Sequence, residues 1–171
     1  MWEAILREWS LRWGGRVHGW WIDGCYFAKD MYEFDDEPNW RSFAAALKAG
    51  NAESLVAFNP GVSVPVIKHN PVEDYTAGEI NYMLPVQLPR RYVNGAQCHI
   101  LSFLGSNWGQ RPPRFSDELA GSYTRWVNAH DGVVTWDVPI EPNGRIPEEF
   151  IAQLTAIGRT ASAGSRAVRP D

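Results

Sequence analysis

At 171 residues, with 44% hydrophobic and 21% charged side chains, the chain has a globular rather than a disordered composition. Its sixteen Lys and Arg residues are scattered and the net charge is −4, so nucleic-acid binding has no electrostatic source. No run of 18 apolar residues and no basic leader followed by an apolar stretch points to a membrane or to export, and the compartment stays open.

Two cysteines, Cys25 and Cys98, are too few for a disulfide scaffold or a thiolate metal site and read as buried free thiols. Nine Trp, six Tyr and seven Phe are the compositional outlier. Aromatic faces fill cores, and they also offer flat apolar surfaces to sugar rings.

The first predicted element is a helix over residues 2–13, because Trp2, Ile5, Leu6, Trp9 and Trp13 recur at helical spacing and Gly14-Gly15 stop it. It is expected to pack by that aromatic side. Val17 to Ile22 is a nearly all-apolar run of strand length, expected to be covered on both faces as in parallel sheets, and it ends at Asp23-Gly24. After a polar, acidic stretch from Lys29 to Glu37, Trp40, Phe43 and Leu47 predict a helix that stops at Gly50-Asn51. Ser54 to Phe58 predicts the next strand, closed by Asn59-Pro60-Gly61.

Residues 62–95 lose periodicity, carry prolines at 65, 71, 85 and 89, and hold only short apolar runs such as Ile80 to Leu84. A loop of that length inside a domain is usually functional. Order returns with a strand from Cys98 to Leu104 that leads into Ser106-Asn107-Trp108. Ser116 then reads as an N-cap with Asp117 and Glu118 in the first turn, ahead of a helix with Leu119, Tyr123, Trp126 and Val127 on one side. Val133 to Ile140 is the last strand. Pro147 opens a final helix buried through Phe150, Ile151, Leu154 and Ile157, and residues 160–171 read as a flexible tail.

Helices alternating with short apolar strands predict βαβ units and a parallel sheet. In barrels of this kind the active site lies at the C-terminal ends of the strands, which singles out Asp23, Asn59, the Ser106-Asn107-Trp108 group and Asp137. Glycosidic cleavage by the common route needs two flanking carboxyl groups. Asp23 is the first candidate, and Glu73, Asp74 and Glu79 are candidates for the second. The four histidines occur singly, without zinc-site spacing, and neither a metal nor an organic cofactor is expected.

Several ordered motifs resemble the family 29 glycoside hydrolases, the α-L-fucosidases. Glu8 to Gly14 followed by Gly19-Trp-Trp-Ile-Asp-Gly24 is similar to the helix and strand that deliver that family's catalytic aspartate in a W-x-D-G context. Leu55 to Gly61, Glu73-Asp-Tyr-Thr-Ala-Gly-Glu79, Phe103 to Gly109, and Asp131 to Pro139 with Asn143 to Pro147 look like four later family segments in the same order.

The resemblance covers residues 1–159 and implies the C-terminal part of a (β/α)8 TIM barrel whose N-terminal half is missing. It implies a retaining hydrolase of terminal α-L-fucosyl linkages, with Asp23 as nucleophile, Glu79 as acid/base and Glu73 as its rival. Trp20, Trp21 and Trp108 would wall the sugar subsite, and Asn59 and Asp137 would contact substrate. The chain departs from the family at Asn59-Pro60-Gly61, which lacks the nearby arginine, at Ala77-Gly78 in place of Thr-Pro, and at Trp136-Asp137 in place of Asn-Ile.

An open set of four or five strands exposes apolar surface, so association through the barrel edges and little turnover by the isolated polypeptide are expected. The alternative reading is a gene fragment or a non-catalytic carbohydrate-binding pseudo-enzyme. A carboxyl separation above about 10 Å between Asp23 and Glu79 would favour the latter.

Overall fold

The computed structural model describes residues 2–27, 32–81 and 90–164, with side chains through residue 162. The elements in order are α1 (Trp2–Trp13) with a 3-10 turn (Gly14–Arg16), β1 (Gly19–Ile22), α2 (Trp40–Leu47), β2 (Leu55–Phe58), β3 (Tyr92–Val93), β4 (Ala96–Gln97), β5 (His99–Phe103), α3 (Asp117–Asn128), β6 (Val133–Asp137) and α4 (Glu148–Gly164). The fold is mixed α/β with two parallel strand pairs. Gly19 to Ile22 run in register with Leu55 to Phe58, and His99 to Phe103 with Val133 to Asp137.

Residues 73–80 join these pairs, and they do so with side chains where a regular strand would use carbonyls. The Asp74 N–H donates to Val56 O, while the Glu73 and Asp74 carboxylates accept the N–H groups of Phe58 and Val56 at 2.8 and 2.9 Å. On the other side Thr76 Oγ1 exchanges hydrogen bonds with the N–H and C=O of His99, and Ile80 N–H donates to Leu101 O. The spatial order is therefore β1, β2, residues 73–80, β5, β6, with backbone groups of β2 and β5 along the seam taken up by side chains as well as by backbone. The short antiparallel β3–β4 hairpin, turned by Asn94-Gly95, lies in the stretch that had no periodicity to announce it.

One cluster packs α2 onto β1 and β2 through Trp40, Phe43, Leu47, Val56 and Phe58. Two further clusters pack α3 and α4 onto β5 and β6 through Ile100, Leu104, Tyr123, Val127, Phe150 and Ile157. Two caps fix the helix starts: Asn39 and Ser42 form a capping box on α2, and Ser116 caps α3. Among the described residues no helix is long and apolar enough to cross a membrane.

The structure corrects four expectations. Helix α1 does not dock by its aromatic side: Trp2 is 68% exposed and Trp9 45%, and the residue it buries is Ser10. Ser10 Oγ donates to Leu47 O at 2.6 Å and accepts from Gly50 N–H at 2.9 Å, and a Cβ on Gly50 would lie 1.9 Å from Ser10 O. Close backbone approach, which only small residues permit, has overridden hydrophobic periodicity here.

Helix α3 likewise turns Leu119 and Trp126 outward and buries Ala120, Tyr123, Thr124 and Val127. The strands are covered by helices on one face only; on the other face Leu55 is 50% and Val133 45% exposed. In α4, Phe150 and Ile157 are buried but Ile151 points out, and the helix runs to Gly164, past the point where the periodicity lapses. Tyr82 to Leu84, Pro85, Pro89, part of the acidic stretch after Tyr26 and the last seven residues lie outside the described residues.

Candidate active site

Asp23 follows β1 directly and sits at the C-terminal end of the sheet. Its Oδ1 accepts from Gly24 N–H at 2.8 Å, Asn59 Nδ2 at 2.9 Å and Tyr26 Oη at 3.3 Å. Asn59 is the residue after β2, in register with the end of β1, and is fully buried. Its Oδ1 accepts from Gly61 N–H at 3.1 Å, which orients the amide so that Nδ2 faces the carboxylates.

That nitrogen also donates to Glu79 Oε2 at 2.5 Å. One donor thus holds the two carboxylates, and the separation of the bonded oxygens cannot exceed the sum of the two contacts. The value falls far short of the separation of about 10 Å that would exclude a glycosidase geometry. Asp23 Oδ2 and Glu79 Oε1 have no hydrogen-bond partner among the described residues.

Glu79 reaches this place because Gly78 takes a φ of +71° and lets the backbone pass close to β5; a Cβ there would lie 2.0 Å from His99 O. The two carboxylates open into a cavity of about 410 Å³, lined also by Trp21, Leu101, Trp108, Thr135 and Asp137. That volume suits a small ligand.

Trp21 is fixed by its indole N–H on Ala77 O at 3.1 Å. Trp108 packs edge-on to Phe103 and donates to Asn81 Oδ1 at 3.1 Å. Asp137 Oδ2 accepts from Gly109 N–H at 2.7 Å, which ties the Trp108 loop to the end of β6. Arg114, stacked between Phe103 and Phe115, braces the same loop through Phe103 O, Asn81 O and Ser102 Oγ.

Three sequence candidates fall elsewhere. Trp20 points to the opposite face of β1, as strand alternation requires, and stacks on Trp13 at 5.9 Å. Glu73 is buried in the seam beside β2 and does not line the cavity. Its two oxygens accept the N–H groups of Phe58, His69 and Asn70, and burial pushes its pKa up to about 7 in spite of those bonds. Asp74 is paired with Lys48 at 2.7 Å.

Asn59 is present, but it contacts both carboxylates rather than open space. Tyr26, Thr135 and Asn81 escaped sequence reasoning. Only their distance from a strand end could have flagged the first two. The Asp23 carboxylate beside Tyr26 raises that phenol's pKa.

Below the cavity the open face of the sheet continues into an apolar hollow of about 480 Å³ floored by Leu55, Tyr75, His99 and Val133. His99 gives its Nδ1 hydrogen to Thr76 O and accepts from Thr135 Oγ1 at Nε2, and burial lowers its pKa, so it is a neutral structural link. Cys25 and Cys98 are buried free thiols, and burial together with the nearby Asp23 and Glu73 pushes Cys25 up to about 11. Among the described residues no cluster of His, Cys, Asp and Glu is arranged to hold a metal ion.

No protein-family model matches the sequence, and no curated protein matches it. Solved structures do. The endo-fucoidan hydrolase MfFcnA9 from glycoside hydrolase family 107 aligns over 97% of this chain and 36% of its own, at 18% identity and a TM-score of 0.75. The endo-fucoidan hydrolase P5AFcnA of the same family aligns over 99% and 56%, at 17% identity and 0.71. The α-L-fucosidase isoenzyme 1 from Paenibacillus thiaminolyticus aligns over 97% and 39%, at 15% identity and 0.61. The chain therefore shares the fold of part of these enzymes and spans about a third to a half of their lengths.

Proposed function

We propose that this chain carries the catalytic carboxylates of a retaining glycoside hydrolase acting on α-L-fucosyl linkages, within a partial (β/α)8 barrel. The observation that supports it most is the bridge made by Asn59, which brings one oxygen of Asp23 and one of Glu79 onto a single amide nitrogen and so holds two carboxyl groups side by side at the cavity, as a glycosidase pair requires. Neighbours of both fucose-active kinds share the fold, and that likeness supports the sugar class.

Asp23 Oδ2 attacks the anomeric carbon while Glu79 gives a proton to the departing glycosidic oxygen, leaving a glycosyl ester on Asp23. Water then enters, Glu79 takes its proton, and the ester breaks at the anomeric carbon with the original configuration restored. Asn59 stays bonded to the Asp23 oxygen that does not attack and keeps both groups from swinging apart. Trp21 and Trp108 form the apolar walls on which a sugar face can stack.

Because one face of the sheet is open, water and sugar share an incompletely enclosed site, and turnover by the isolated chain is slow. The test is prolonged incubation of a concentrated preparation with an aryl α-L-fucoside, with the released sugar followed by NMR. Slow release of α-fucose, lost in Asp23→Asn, supports the reading. Release of β-fucose first, or release that survives Asp23→Asn, contradicts it.

A further inference from the structure

Beyond the catalytic cavity lies a second hollow of about 650 Å³, lined by Gln110, Arg111, Pro139, Ile140, Glu141 and Asn143 among others. The two are adjacent along the same end of the sheet. Trp108 and Asp137 line the first, the neighbouring Gly109 and Pro139 line the second, and the Gly109 N–H to Asp137 bond forms the ridge between them. A sugar bound at Asp23 would therefore direct one of its substituents over this ridge.

The charges along this path are unbalanced. Asp23, Glu79 and Asp137 line the catalytic cavity with no Lys, Arg or His among its described lining residues. In the second hollow Arg111 is the cation, and it is engaged by two acids, Glu149 at 2.5 Å and Glu141 at 3.6 Å. Among the described lining residues of the two hollows, an anionic substituent, sulfate or carboxylate, would meet four carboxylates, Asp23, Glu79, Asp137 and Glu141, against the single guanidinium of Arg111, and like-charge juxtaposition is how a binding surface rejects the wrong ligand. Hydroxyl groups, by contrast, can use acceptors on Glu141, Asn143 and Asp137 and the amide donor of Gln110.

We infer that the hollow beyond Gly109 is a subsite for the next sugar of an uncharged glycan, and that the cleft discriminates against sulfated or carboxylated chains. This rests on the glycosidase reading above and adds to it the charge and minimum length of the substrate.

The experiment titrates the purified chain, by calorimetry at low salt, with methyl α-L-fucoside, a neutral α-fucosyl disaccharide and the same disaccharide sulfated on its second sugar. The neutral disaccharide is expected to bind at least about fivefold tighter than the monosaccharide and at least about tenfold tighter than its sulfated form. The sulfate penalty is expected to shrink as salt is raised and in Glu141→Gln. Equal or tighter binding of the sulfated sugar overturns the inference and leaves the glycosidase reading standing. Equal binding of monosaccharide and neutral disaccharide removes the second subsite in the same way. Absence of binding by all three overturns both.

Discussion

Asp23 and Glu79 share one hydrogen-bond donor: the side-chain nitrogen of Asn59 lies 2.9 Å from Oδ1 of the first and 2.5 Å from Oε2 of the second. Two electron-rich carboxyl oxygens stay close only with something positively polarised between them, and the amide, itself pinned by Gly61, supplies that fixed positive end. The bridge brings together two carboxyl groups that are distant in sequence, one at the end of β1 and one in the irregular segment beside β5.

Asn59→Ala removes the bridge without adding bulk. The rate of fucoside cleavage is expected to fall about 100-fold, the scale of a misplacement of about 1 Å, while the circular-dichroism spectrum stays that of the parent. A rate within threefold of the parent would show that the carboxylates are held by other means.

The paired tryptophans of β1 separate binding from stability. Trp21→Ala is expected to weaken fucoside binding about tenfold, read by titration. Trp20→Ala, on the helix side, is expected to leave binding unchanged and to lower unfolding free energy by about 2 kcal/mol, since the ring is only half buried. Exchange of the two phenotypes would mean that β1 is inverted.

Gly78 is expected to tolerate no side chain. Its positive φ and the 2.0 Å approach of a Cβ to His99 O make Gly78→Ala costly by about 3 kcal/mol or more, measured as a fall in the denaturant midpoint. A neutral effect would show that residues 73–80 can leave β5 without consequence.

Glu73 ties stability to pH. Its folded-state pKa of about 7 stands above the ordinary carboxylate value of 4.5, so the folded chain binds this proton more tightly than the unfolded chain. The stabilisation is fully present below about pH 4.5 and is lost as the pH rises through 7, amounting to about 3 kcal/mol at most. Glu73→Gln is expected to flatten that part of the profile in denaturant titrations at several pH values. An unchanged slope would place the linkage on another group.

Much of this was readable in the chain. The alternation of helix and strand, the N-cap at Ser116 and the placement of Asp23 after an apolar strand follow from local chemistry, and the structure has strands and helices at those places. The failures share a cause. Trp2, Trp9 and Trp13 form a helical stripe, but the dock is made by Ser10 against Gly50, a contact between residues forty apart that periodicity does not register.

Trp20 and Trp21 were indistinguishable as aromatic residues until the pleat separated them. Glu73 and Glu79 are both loop acids in sequence. One replaces a carbonyl in the sheet and the other faces the cavity, a difference set by the Gly78 turn.

The proposed double displacement requires a covalent bond between Asp23 and the sugar, and trapping that bond tests it most directly. Incubation with an activated 2-fluoro-fucosyl donor, followed by peptide mass spectrometry, is predicted to place one fucosyl adduct on the peptide containing Asp23 and none in Asp23→Asn. An adduct on another residue, or an equal adduct in the variant, would contradict the account.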